Sequence, residues 1–277
     1  MSDISIVIGS CDSYIDIAEL YVSFLKKNWK DCPYPIFVTT ETADFSEPSV
    51  TIINNGINCE WAERVINAVN LTSSKYIWLT VDDLFITDPV DGNRISEIIE
   101  IMEKEKLYYY GFPSRCIDKQ EDKRYFRKRH KYKEYKHVFA ISRDVPYGVN
   151  MGTAIWRKDV LLHILNDGIT TAWEVENYFL KKASKRRGGY YKHYVDDDGT
   201  SLRFAHMIKK GQWIQRGVKE IAESGIFIDY EVRGYVPFKG RIRPYIIGFG
   251  NTLCPIGMRR GVKKVLSKFG VRFATEY

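Results

Sequence analysis

Two carboxylates stand side by side in the stretch Lys75-Tyr76-Ile77-Trp78-Leu79-Thr80-Val81-Asp82-Asp83-Leu84-Phe85-Ile86-Thr87-Asp88-Pro89. The residues before them are β-branched and aromatic and of strand length, so Asp82 and Asp83 fall where a buried strand ends, and Pro89 closes the segment. Adjacent like charges raise each other's pKa, which makes such a pair costly unless something compensates it. A hard divalent cation would do so. Carboxylate oxygens suit Mg²⁺ or Mn²⁺, and an ion held by few protein ligands keeps positions open for phosphate oxygens. The competing reading is an acidic turn after a strand, with Asp88 and Asp91 capping the next helix. Another acid, Asp12, follows the first apolar run.

The elements that must position these residues follow from pattern. Ile4-Ser5-Ile6-Val7-Ile8-Gly9 reads as a first buried strand, and Ile17, Leu20, Tyr21, Phe24 and Leu25 recur at helical spacing after it. A strand, a polar turn and a helix make the first unit of a nucleotide-binding sheet, with the ligand beyond the strand's carboxyl end. Asp12 is then placed to meet a nucleoside. No Gly-x-Gly-x-x-Gly follows the strand, which argues against a dinucleotide fingerprint. Pro35–Thr39 and Val50–Asn54 read as the second and third strands and Asn58–Val69 as a helix. The alternation predicts a mostly parallel sheet covered on both faces. Right-handed crossovers bring Asp12, the Asn54-Asn55-Gly56 turn and Asp82-Asp83 to one edge.

Further on, Lys119 to Lys136 interleaves basic residues with Tyr125, Phe126, Tyr132 and Tyr135, which suits a wet hairpin, a phosphate or acceptor site, or a nucleic-acid groove. Thr170–Phe179 reads as a helix with threonine caps and early acids. Asp196-Asp197-Asp198-Gly199 lacks the spacing of a calcium loop and reads as a turn. From Phe238 the chain turns rich in Gly, Pro and Arg, and Met258–Phe269 has the pattern of a short basic amphipathic helix, the kind that lies on an anionic membrane face or packs on its own domain.

The acidic pair at the end of a strand resembles the signature of nucleotide-sugar glycosyltransferases of the GT-A fold, in particular GT2-like bacterial enzymes that build surface polysaccharides such as capsule and lipopolysaccharide. Against an Asp-x-Asp-Asp form, Thr80 takes the first acidic position, so only the pair survives. The resemblance runs from the first strand to about Gln215. It implies an α/β, Rossmann-like mixed sheet, mostly parallel and flanked by helices, over residues 1–237, with a donor half of about 1–112 and an acceptor half of about 113–237. Residues 238–277 would form a basic appendage. It implies Asp83 as the direct metal ligand, with Asp82 on the metal or the ribose. A late histidine, His206 or His193, would complete the metal or diphosphate site. Asp12, Asp82 and Asn54 would face the nucleotide, and Glu176 or Glu174 would be the base that takes the acceptor hydroxyl's proton. Lys210-Gly211-Gln212-Trp213 resembles a Lys-Gly-Lys-Trp element of these relatives.

The activity implied is metal-dependent hexosyl transfer with inversion, using Mn²⁺ or Mg²⁺, from a nucleotide-sugar (a UDP-sugar ahead of a GDP-sugar) to a glycan or lipid-linked acceptor, with no nucleic acid as partner. A sugar nucleotidyltransferase and a nucleic-acid-binding protein are the alternatives. The former would carry a Gly-rich phosphate loop, for which Gly9-Ser10-Cys11-Asp12 is a poor substitute.

Composition is that of an ordinary globular protein. The 277 residues are 44% hydrophobic and 28% charged, enough to bury a substantial core. Five scattered cysteines without Cys-x-x-Cys spacing disfavour metal fingers and a disulfide framework. The net charge of +7 and pI near 9.0 point to an anionic partner. Neither a secretory signal nor a membrane-spanning run is evident, so the expected location is the cytoplasm, with contact to the inner membrane face through the tail.

Overall fold

The computed structural model describes residues 3–113, 130–143, 148–175, 178–179 and 189–237. Four strands open it: β1 (Ile4–Gly9), β2 (Ile36–Thr40), β3 (Val50–Asn54) and β4 (Tyr76–Val81), with helices α1 (Ile15–Asn28) after β1 and α2 (Trp61–Leu71) before β4. There follow β5 (Leu84–Ile86), α3 (Gly92–Lys104), β6 (Tyr109–Gly111), β7 (His130–Lys131), β8 (Val138–Ser142), β9 (Ala154–Arg157) and α4 (Lys158–Leu165). The rest comprises β10 (Tyr190–Asp197), β11 (Phe204–His206), β12 (Ile208–Lys209), β13 (Gln212–Trp213) and α5 (Gln215–Ile221).

Nine strands form one sheet in the order β3-β2-β1-β4-β9-β6-β10-β8-β7, and only β9 and β8 run against the others. This is the mixed, largely co-directional α/β plan that the strand and helix spacing predicts. β1 is buried along its whole length, which is why it carries no alternation of polar residues. One face packs Ile6, Ile8, Trp78 and Phe85 against α1 and α3; the other packs Val7, Ile77 and Leu79 against α2 and α4. Register then does the positioning. Gly9 lies opposite Val81, so Ser10 and Asp82 leave the sheet side by side.

Several boundaries differ from the sequence reading. Asp82 and Asp83 are a two-residue link, since Leu84–Ile86 leaves the main sheet and pairs with β11. Asp91 caps α3, accepting the N–H groups of Asn93 and Arg94, whereas Asp88 pairs with Arg203. The strand expected from Tyr147 begins only at Ala154, because Asn150 Oδ1 accepts Gly152 N at 2.9 Å and holds the approach in bends. Asp196-Asp197-Asp198 is not a free turn. Asp196 and Asp197 end β10, buried, and Gly111 on β6 leaves room for Asp196: a Cβ there would come 2.7 Å from its carboxylate. Residues 119–129 of the basic aromatic segment and the tail 238–277 lie outside the described residues, while His130–Lys136 form β7 and the turn into β8. Among the described residues no helix is long and apolar enough to cross a membrane.

Asp197 ties the two halves of this edge together. It accepts from Tyr110 Oη at 3.0 Å, Ser201 Oγ at 2.5 Å and Gly199 N at 2.7 Å, with Arg94 Nη2 at 3.6 Å. Removing a fully buried partner leaves the others desolvated and unpaired. Asp197→Ala is expected to cost about 3–5 kcal/mol in urea unfolding, whereas Asp198→Ala, on the more exposed side of the same turn, should cost far less.

Candidate functional site

The site is built at the carboxyl ends of β1, β2 and β4. Asp82 is 6% exposed and accepts a short hydrogen bond from Ser10 Oγ on the neighbouring strand end. Burial is the main cause that pushes its carboxyl up to about 8, and the charge of Asp83 adds to it; the Ser10 bond and the Arg233 charge pull the other way. Asp83 points to the wetter side. Its Oδ2 lies 2.8 Å from His206 Nε2, and its backbone oxygen accepts Met207 N at 2.8 Å. The β5–β11 pairing sets His206 opposite Leu84 and so delivers the histidine to Asp83 across more than a hundred residues of chain.

This pair fits a divalent ion in one respect that can be measured. Two cis ligands at about 2.1 Å from an octahedral ion sit about 3 Å apart, close to the spacing of Asp83 Oδ2 and His206 Nε2. No group of three or more His, Cys, Asp or Glu able to hold a metal occurs among the described residues. Asp83 and His206 could supply two side-chain ligands, with the remaining positions of a divalent ion left to phosphate and water. Asp82 belongs beneath this pair as its buried neighbour.

A second cluster borders β1 and β2. Arg64, buried on α2, pairs with Glu41 at 2.7 Å and also donates to Cys59 O, while its Nε has no partner. Glu41 Oε2 in turn accepts Asp12 N at 2.5 Å. Asp12 itself accepts the N–H groups of Glu41, Thr42 and Ala43 and the Thr42 hydroxyl, and these bonds, that of Ala43 first, hold its carboxyl far below the usual range. Its carboxylate thus shapes the loop after β2, and the charged pair that faces the strand ends is Glu41 with Arg64. Asn54 accepts from Thr40 Oγ1 at 2.7 Å, bridging the ends of β2 and β3. Trp61 closes this side. Its ring lies over Gly9, where a Cβ would come 2.7 Å from the indole nitrogen, so only glycine fits beneath it.

A third cluster comes from the end of the described chain. Arg233 donates to Asp16 and to Ser13 O and lies 4.8 Å from the centre of the Tyr14 ring, near enough for its charge to act on Asp82. Lys210 and Gly211 form the β12–β13 turn, both with positive φ, as a tight two-residue hairpin requires.

Other expected site residues fall elsewhere. Glu174 accepts Thr170 N, Thr170 Oγ1 and Thr171 N, which commits its carboxylate to the helix start. Glu176 lies outside the described residues. His193 stacks on Tyr108 at 4.6 Å in the first half of β10, where burial lowers its pKa, so it does not join Asp83. Sequence reasoning missed Ser10, Glu41, Arg64 and Arg233. Glu41 carried a signal, being the first acid after the Val38-Thr39-Thr40 strand end; the others carried none.

No protein-family model matches the sequence, and no curated protein matches it. Among solved structures, the chain is similar to Staphylococcus aureus TarS 1-349 (10% identity, TM-score 0.46, covering 73% of this chain and 60% of that one). It is also similar to the mannosyltransferase PcManGT from Pyrobaculum calidifontis in complex with GDP-Man and Mn²⁺ (9%, 0.48, 76% and 58%) and to the bifunctional IspDF from Campylobacter jejuni (12%, 0.36, 70% and 50%). The chain thus spans about 60% of the TarS fragment's length and half of IspDF's.

A carboxyl whose folded pKa lies near 8, against about 3.9 unfolded, takes up a proton on folding at any pH between the two. Its folding penalty is absent below about pH 4 and grows as the pH rises toward 8. In chelator-treated protein, Asp82→Asn is expected to flatten the loss of Tm between pH 5 and pH 8 and to raise Tm at pH 8 by roughly 2–4 °C for each 1 kcal/mol recovered. An unchanged slope would mean that Asp82 folds ionised.

Proposed function

We propose that the chain is a glycosyltransferase of GT-A type that moves a hexosyl group, with inversion, from a nucleoside-diphosphate sugar to a glycan or lipid-linked acceptor. The observation that carries this reading is the split acidic pair at the tip of β4: Asp82 buried under Ser10, and Asp83 turned outward beside His206. Asp83 and His206 would hold Mn²⁺ or Mg²⁺. When bound, that ion offsets charge developing on the leaving diphosphate.

The remaining roles belong to the chain's own groups. The Glu41 carboxylate, held by Arg64 beside the ends of β1 and β2 and still partly exposed, offers an acceptor to a base that presents an N–H, as uracil and guanine do. Arg233 brings a cation to the side of Asp82, which suits diphosphate oxygens. Glu176 takes the proton of the attacking acceptor hydroxyl. The assignment favours Glu176 over Glu174, whose carboxylate is already occupied by the cap. The lipid-linked form of the acceptor accords with a basic tail able to rest on the inner membrane face.

Thermal shift tests the donor site directly. UDP and GDP are expected to raise Tm more with Mn²⁺ than without, by about 2.7 kcal/mol of stabilisation at a hundredfold excess over Kd. Asp83→Ala should abolish the Mn²⁺-dependent increment, and an unaffected increment removes Asp83 from the metal. Kinetics tests the base. Glu176→Gln should leave donor binding intact and slow transfer about 10²–10⁴-fold, whereas Glu174→Gln should lower Tm through loss of the cap, by about 1 kcal/mol, with a near-normal rate.

A further inference from the structure

The loop that follows β1 passes from one end of the rim to the other. The charges of Glu41 and Arg64 reach Cys11, those of Asp83 and Arg233 reach Tyr14, and Asp82 between them acts on both. Cys11 therefore belongs to the end where the base is proposed to lie, and Tyr14 to the end where the metal is.

Distant parts of the chain meet at Tyr14. Its backbone N–H closes the turn after β1 by donating to Cys11 O at 2.9 Å, and its half-buried ring packs on the core. The Arg233 guanidinium stands 4.8 Å from the ring centre, steered there by Asp16 and by Ser13 O on either side of Tyr14 in the chain. Those bonds use Arg233 Nε and Nη2, so only Nη1 is without a partner among the described residues. From the other side comes the tip of the β12–β13 turn. The Gly211 N–H acts on Tyr14 Oη, and a Cβ at Gly211 would stand 4.0 Å from that oxygen. The hydroxyl still has a proton to give. Burial first of all raises its pKa, and the charges of Asp82 and Asp83 add to this, so the phenol stays protonated at neutral pH. No carbonyl or carboxylate among the described residues accepts from it.

An O–H in want of an acceptor, a cation seated on the same ring and an acid–histidine pair beyond them are complementary to a group with several anionic oxygens. We infer that Tyr14 is a further ligand of the diphosphate: its Oη donates to an oxygen of the terminal phosphate, and its ring is the seat that keeps Arg233 beside the same group. The inference rests on the transferase reading for the identity of the ligand, a nucleoside diphosphate. It adds the residue that tells a diphosphate from a monophosphate, because a nucleoside monophosphate bound by its base carries its one phosphate nearer the Cys11 end of the loop and leaves the phenol without a partner.

Tyr14→Phe is the test, since it keeps the ring under Arg233 and removes only the donor. The full chain is titrated calorimetrically, with Mn²⁺ present, against UDP, GDP, UMP, GMP and inorganic pyrophosphate. Tyr14→Phe is expected to bind UDP, GDP and pyrophosphate about tenfold or more weakly than the parent, and to bind the monophosphates as the parent does. Unchanged diphosphate affinity in the variant overturns the inference. So does an equal loss for mono- and diphosphates, which would make Tyr14 a residue that shapes the loop and not one that touches the terminal phosphate. A parent that binds pyrophosphate with Mn²⁺ and loses it in Tyr14→Phe, yet binds no nucleotide, overturns the transferase reading and leaves the anion site standing. A parent that binds neither overturns both.

Discussion

Two neighbouring carboxylates cannot share one environment at the tip of a buried strand without one of them giving way, and the rest of this edge is arranged around how that conflict is settled. The chain turns the two residues apart. Asp82 goes inward, where burial favours its neutral form and Ser10 Oγ supplies a hydrogen bond. Asp83 goes outward, partly exposed and 2.8 Å from His206 Nε2. The divergence follows from the backbone. β4 stops at Val81, and the next three residues to pair do so with β11 and not with the main sheet, so the link between them must turn.

That turn is useful only because the neighbouring strands end at the same level. β1, β2, β3 and β4 run in register, with Gly9 opposite both Thr39 and Val81. Residues just past these positions, Ser10, Glu41 and Asp82, therefore share one rim. Close packing sets what can stand there. Trp61 roofs Gly9 and allows no Cβ beneath it, and Arg64, one turn further along α2, reaches Glu41 from the same helix. A shift of a strand by one residue would exchange the faces of every side chain on it and scatter this rim.

Local signals made the first half of the fold legible. β1, β3 and β4 stand out as short apolar runs, α1 and α2 as helical periods, and Asp82-Asp83 as the acidic pair at a strand end; each depends on residues close together in sequence. What the sequence did not disclose depends on distant pairing. That Asp12 clamps its neighbouring loop instead of standing free requires the 41–43 backbone to arrive beside it, and Asp196 and Asp197 seem solvent-suited in isolation until β6 and α3 supply Gly111, Tyr110 and Arg94. His206 and His193 are indistinguishable as single histidines. Only the antiparallel match of β11 with β5 separates the one beside Asp83 from the one under Tyr108.

The same long-range pairing sets what this rim would offer the charged ligand proposed for it. Asp83 Oδ2 and His206 Nε2 stand 2.8 Å apart, so the divalent ion proposed above would replace a hydrogen bond that already brings the two side chains together. Arg233 is held over Tyr14 by Asp16 and a backbone carbonyl, which fixes a positive charge near the buried acid before any phosphate arrives. Arg64 keeps one N–H directed at no protein group, in a place too enclosed for bulk water to satisfy it cheaply. In the transferase proposed above, a metal-bound diphosphate would meet the Asp83–His206 pair and the Arg233 cation as they already stand. A set of partners preorganised in this way would act without rearrangement as charge develops on the leaving group, which is where electrostatic stabilisation accelerates a transfer.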